Sequence, residues 1–196
     1  MSFWRRRAEP AGEPVTTGVP TAPEAVRAAA ELRSGEKVLA AAQDDATRGW
    51  VLATQWRLLQ VSDPEGAAGA RVELDRPWLE VDTGAWDPDA TVLSVTWVGG
   101  GRGQQWTLRR LTGPGRLPHI FWERVQASVV LTREIDLGPR RKARVAIRKN
   151  LDTRELVDQV VLGRGARPDD AELAREVAIT RVELRDQVGL PLRGDT

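Results

Sequence analysis

The densest chemistry-bearing stretch of the chain is Arg140, Arg141, Lys142, Arg144, Arg148 and Lys149, with no acidic residue from position 138 to 149. Cations at that density hold phosphates by releasing counterions, which makes the stretch a candidate site for nucleic acid or an anionic membrane. Written as a strand, it places Lys142, Arg144 and Arg148 on one face and Val145 and Ile147 on the other. The same stripe has two structural destinations. It can guard a sheet edge against aggregation, or it can pair with the acidic residues that follow, Asp169, Asp170, Glu172 and Glu176. No aromatic residue interleaves the cations, so a stacking platform for single strands is missing. Internal pairing is therefore the preferred reading, and polyanion binding the alternative.

The remaining chemical groups are sparse. There is one histidine, His119, and no cysteine, so thiolate chemistry, disulfides and Cys-based metal sites are excluded. Asp82, Asp87 and Asp89 are three carboxylates close in sequence, but Asp87-Pro88-Asp89 is ordinary turn chemistry. Gly99-Gly100-Gly101-Arg102-Gly103 is followed by a strand-like Gln104-Gln105-Trp106. A phosphate cradle needs a helix there, so a flexible hairpin tip is expected. No nucleophile, base and oxyanion donors stand together. The expectation is a non-enzyme with no catalytic residue, no metal and no cofactor.

Composition sets the class. Hydrophobic residues make up 41% of the 196 residues, enough for a core, and the net charge is +1. Only Lys37, Lys142 and Lys149 among the 29 basic residues are lysine, Tyr is absent, and Asn occurs once, at Asn150. That usage marks a GC-rich genome, in which arginine replaces lysine without functional motive. No apolar segment follows the arginines of Met1 to Arg7, so a cytoplasmic protein is expected.

These residues need elements to position them. Positions 1–21 read as a disordered arm rich in Pro, Gly and Thr. Thr21 to Arg33 has the pattern of a short helix. Strands are then expected over Lys37–Gln43, Trp50–Val61 as one long strand, Arg71–Leu74, Trp78–Trp86, Thr91–Val98 and Gln104–Arg110. In Thr91–Trp97 the residues alternate, with Leu93, Val95 and Trp97 inward and Val92, Ser94 and Thr96 outward. Leu117, Ile120, Phe121, Val125 and Val129 fall at helical spacing. A three-strand meander follows over Val130–Leu137, Ala143–Lys149 and Leu156–Gly163. A last helix runs from Asp169 to about Val188, with Asp169 and Glu172 at capping-box spacing.

Ala53-Thr54-Gln55-Trp56-Arg57-Leu58-Leu59 and, further on, Pro77-Trp78-Leu79-Glu80-Val81 stand where bacterial pleckstrin-homology-like (PH-like) domains carry similar strand motifs. The stretch from about Lys37 to Val129 resembles that family, in particular its actinobacterial members. The resemblance implies a barrel-like fold, and function must then be read from the site. The expected fold class is α+β: a mainly antiparallel PH-like β-barrel with a capping helix over 22–129, then a β-meander plus helix over 130–196. The expected function is a protein-interaction or scaffolding module of unknown partner.

Seven tryptophans, Trp50, Trp56, Trp78, Trp86, Trp97, Trp106 and Trp122, fall in that sheet or its helix. Most are expected in the core with their N–H groups bonded, and any left outside would mark a partner surface. Trp97 is expected to be buried. Trp4, beside Arg5, Arg6 and Arg7, can graze an anionic membrane only weakly.

Overall fold

The computed structural model describes residues 21–191, so the expected N-terminal arm and the Trp4 cluster lie outside the described residues. The chain divides into two compact units, Met1–Arg124 and Val125–Thr196. Among the described residues it is an α+β protein with three antiparallel sheets and three helices. None of these helices is long and apolar enough to cross a membrane.

The first unit opens with helix α1 (Glu24–Ala29), shorter than its sequence pattern. Strands β1 (Val38–Gln43), β2 (Trp50–Thr54), β3 (Arg57–Val61) and β4 (Val72–Pro77) form one sheet in sequence order. Val26, Ala30, Ala41, Trp50, Leu52, Leu59 and Val61 pack together, so the apolar side of α1 is buried against this sheet.

The expected single strand over Trp50–Val61 is instead a hairpin. The Thr54 hydroxyl accepts hydrogen bonds from the amides of Trp56 (3.1 Å) and Arg57 (2.9 Å) and so turns the chain within two residues. No Gly or Pro announces the turn, because a side-chain oxygen supplies what those residues normally provide.

A 3-10 turn, Trp78–Glu80, separates β4 from the second sheet, formed by β5 (Val81–Asp87), β6 (Val92–Trp97) and β7 (Gln104–Thr107). The expected continuous strand over Trp78–Trp86 is thus interrupted at its start, since Pro77 has no N–H to carry the ladder onward. No closed barrel forms among the described residues; the seven strands make two open sheets.

Polar contacts, buried at Trp106 and exposed at Asp45, join the two sheets. The Gln60 side-chain carbonyl accepts from Trp106 Nε1 (2.9 Å) and Gln104 Nε2 (3.0 Å). The Asp44 carboxylate takes the Thr107 amide at 2.8 Å, and that of Asp45 takes the amides of Arg109, Arg110 and Leu111.

Helix α2 (Leu117–Ser128) matches the expected helical stretch, and the division between the units falls within it. Within the first unit, Phe121 packs so closely on Gly84 of β5 that a Cβ there would stand 2.1 Å from the ring. Glycine is required by that approach, which lets the helix lie directly on the strand.

In the second unit, β8 (Val129–Asp136), β9 (Lys142–Lys149) and β10 (Leu156–Leu162) form a sheet with β9 in the centre. Helix α3 (Ala171–Gln187) covers one face, burying Leu173 and Leu184 against Ile135, Ala143, Val145 and Ile147. Its cap is Asp170, whose side chain accepts from the Leu173 amide at 3.0 Å, and not the expected Asp169. Asp169 is held by Arg167 instead, which leaves the next carboxylate at the N-cap position.

Candidate functional site

Strand β9 and the turn before it bring the six basic candidates together in sequence but give them different surroundings. Arg141 forks onto Asp170 (2.7 Å) and reaches Glu172 (2.8 Å), so it ties the β8–β9 turn to the first turn of α3. That guanidinium holds the Asp170 carboxyl down to about 2, helped by the Leu173 amide. Lys142 pairs with Asp136 across the β8–β9 ladder at 2.7 Å. Arg144 stands opposite Glu134 in the same ladder. Arg148 is 4% exposed and donates to the Ser128 hydroxyl at 2.7 Å. Arg140 is exposed and Lys149 half-buried, and neither has an ion pair among the described residues.

The face that carries Lys142, Arg144 and Arg148 is therefore no open basic stripe. Carboxylates of β8 flank its first two cations, and its last is buried. Internal pairing does occur, though through Arg141 with Asp170 and Glu172.

The other sequence candidates separate. His119 is an exposed helix residue 3.3 Å from Glu123. The Asp87 carboxylate accepts the amides of Asp89 and Ala90, both at 2.9 Å, and shapes the β5–β6 turn. Among the described residues no three His, Cys, Asp or Glu side chains converge as a metal site would need.

The Gly-rich segment is a hairpin tip between β6 and β7. Beside it, the outward face of the second sheet is a polar ladder. The Thr83 and Thr96 hydroxyls meet at 2.7 Å, and Gln105 donates to Ser94 at 3.1 Å. An open depression of about 590 Å³ lies there, lined by Ser94, Thr96, Arg102, Gln104 and Gln105 among others. Hydroxyls and amides of this kind can hold a polar ligand by hydrogen bonds.

The tryptophans sort into two groups. Trp50, Trp78 and Trp106 are buried, with Trp78 Nε1 donating to the Thr54 carbonyl at 2.9 Å. Trp56, Trp86, Trp97 and Trp122 stay partly exposed. Burial of Trp97 was expected from the alternation in β6. It is half-buried at the last position of that strand, where the pairing with β5 shifts register between Val81 and Thr83, and its ring lies under the Arg76 guanidinium, 5.6 Å away. Trp122 hides its Nε1 without a hydrogen-bond partner among the described residues, against the expectation that buried indoles are bonded.

No family model, curated protein or solved structure matches this chain.

Two buried ionic clusters were not foreseen. In the first unit Arg57 forks onto Glu36 (3.0 Å) and reaches Asp75 (2.5 Å) and the carbonyl of Glu31 (3.0 Å). Burial pushes the Glu36 carboxyl up, but bonds from Arg57, Thr54 and the Arg33 amide outweigh it and leave it below its usual range. The available signal was an arginine inside an apolar run, at Arg57.

In the second unit Asp158, on β10, binds Arg181 (2.6 Å) and Arg185 of α3. The signal there was a pair of arginines four residues apart on the helix. Burial raises the Asp158 carboxyl and the two guanidiniums lower it further than that. A carboxyl lowered by folding contributes stability that is complete above its unfolded value, ~3.9, and is lost as pH falls through the folded value. Asp158→Asn is accordingly expected to destabilise the protein at neutral pH, with the gap from wild type narrowing in acid. Melting curves for both proteins at stepwise lower pH check this; a gap that stays constant would contradict it.

Proposed function

We propose that this chain is a non-enzymatic, cytoplasmic protein-interaction or scaffolding module built on a PH-like first unit, and that the reading needs no cofactor. A four-stranded and a three-stranded antiparallel sheet followed by a helix support the PH-like reading. The observation that carries the function is the set Trp56, Trp86 and Trp97. These three and Trp122 keep part of their surface outside, while Trp50, Trp78 and Trp106 are enclosed. Large rigid aromatics at a surface, one with an arginine stacked on it, are the side chains that dominate protein interfaces.

The test is affinity capture from extract of the native cell, comparing the wild-type chain with Trp97→Ala and Arg76→Ala at low and high salt. The expected result is a partner retained at both salts by wild type and lost or weakened with Trp97→Ala. Capture unaffected by either change would remove the aromatic surface from the reading.

The alternative, a polyanion-binding module on residues 140–149, is favoured by Arg140 and Lys149, which have no ion pair among the described residues. Two phosphate contacts give a log–log salt dependence of only about two, so that reading forecasts weak binding that ordinary salt removes.

A further inference from the structure

The outer edge of β10 is built differently from the outer edge of β8, its counterpart across the sheet. The amide of Gly163 donates to the Lys142 carbonyl and that of Asn150 to the Glu155 carbonyl, both at 2.8 Å. Odd-numbered positions of β10 therefore turn their backbone groups toward β9, and Leu156, Asp158, Val160 and Leu162 turn theirs outward. β10 is hydrogen-bonded to a strand on one side only. Among the described residues, none of these four positions has another backbone partner.

The side chains of β10 do not protect this edge. Its sequence, Leu-Val-Asp-Gln-Val-Val-Leu, has one charge, Asp158, whose side chain is 5% exposed and held by Arg181 and Arg185. Leu162 is 38% exposed. On β8 the bond from the Leu137 amide to the Arg141 carbonyl sets the outward positions as Thr132, Glu134 and Asp136, two of them carboxylates. Native edges are blunted by charge in that way, whereas the outward positions of β10 are two leucines, a valine and the one carboxylate already held by α3.

We propose that β10 is a dimerisation edge and that its occupant is β10 of a second copy of this chain, in antiparallel register about Gln159. The sequence is complementary to itself in that register. Leu156 meets the partner's Leu162, Val157 the partner's Val161, and Asp158 the partner's Val160, so no like charges face each other. The four outward-turned positions fall opposite one another and their backbone groups pair in full. Glu155 at one end of the strand comes beside the partner's Gly163 and Arg164, placing opposite charges at both ends of the seam. Centring the pair on Asp158 instead sets two carboxylates face to face, and centring it on Val160 sets Asp158 against Leu162. A second copy in the Gln159 register extends the three-stranded sheet to six strands and covers the exposed side of Leu162.

Sedimentation of the full chain over a range of concentrations tests this, together with two sets of variants. The native chain has no cysteine, so Gln159→Cys introduces a single thiol at the dyad. Opposed residues in a non-hydrogen-bonded pair have Cβ atoms ~4.5–5.5 Å apart, within a small adjustment of disulfide geometry. The expected results are a mass that rises toward two chains, a dissociation constant raised roughly tenfold or more by Leu162→Lys, and a covalent dimer from oxidised Gln159→Cys but not from Glu134→Cys. A single-chain mass up to the solubility limit overturns the proposal. So does a dimer that Leu162→Lys leaves intact and Gln159→Cys fails to trap. Should Leu162→Lys not fold, the crosslinking comparison decides alone.

Discussion

Arg57→Ala is expected to cost about 3–5 kcal/mol of stability, because it leaves a buried carboxylate without its partner. The Glu36 side chain is 0% exposed and the Arg57 side chain 6%, and the guanidinium also satisfies carbonyls of Ala30 and Glu31 at the end of α1. Removing it strands several acceptors at once. Arg57→Lys should recover little, since one ammonium does not reproduce a fork that reaches Glu36, Asp75 and the backbone together. The double change Arg57→Met with Glu36→Leu is expected to be less damaging than the sum of its parts, as replacement of a whole buried pair often is. Urea titrations of the three variants measure this. An Arg57→Ala loss below about 1 kcal/mol would show that the cluster is open to water.

Trp78→Ala is expected to cost about 3–5 kcal/mol, the usual range for an enclosed aromatic. Trp78 is 0% exposed, meets Phe121 edge-on at 5.6 Å, and bonds the carbonyl of Thr54, the residue that turns β2 into β3. Trp97→Ala is expected to cost about 1–2 kcal/mol, since only part of its area is buried and its cation–π contact with Arg76 is at the surface. Thermal or urea melts of both variants side by side check the order. Equal losses would mean that Trp97 belongs to the core after all.

The contrast between those two residues shows what the sequence made legible. Alternation in Thr91–Trp97 correctly separated a core face with Leu93 and Val95 from a wet face with Ser94 and Thr96, because each pleat position repeats every two residues. It failed at Trp97 because parity assumes an unbroken ladder, and the pairing with β5 shifts register there, between Val81 and Thr83. Helix α2 and the meander with its final helix were legible for a similar reason: apolar spacing and turn residues both marked them.

The hairpin inside Trp50–Val61 was hidden, since Thr54 turns the chain by side-chain hydrogen bonds within an apolar run. The closed barrel implied by the resemblance did not follow either, because Pro77 and the 3-10 turn after it part the two sheets. At the basic run, spacing gave the face of each cation but could not give its partner. Arg148 reads as one more surface charge until the structure places it against Ser128 at 4% exposure.

The pairing of the 140–149 cations is mainly internal, with Arg141 held to α3, Lys142 to β8 and Arg148 in the buried layer. Its most direct test compares wild type with Arg141→Glu and Arg148→Glu, reading heparin elution and melting temperature on the same preparations. The predicted result is early elution of all three proteins, with both variants melting well below wild type. Retention of the wild type to high salt, lost in variants whose melting temperatures are unchanged, would contradict it and identify the run as a polyanion site.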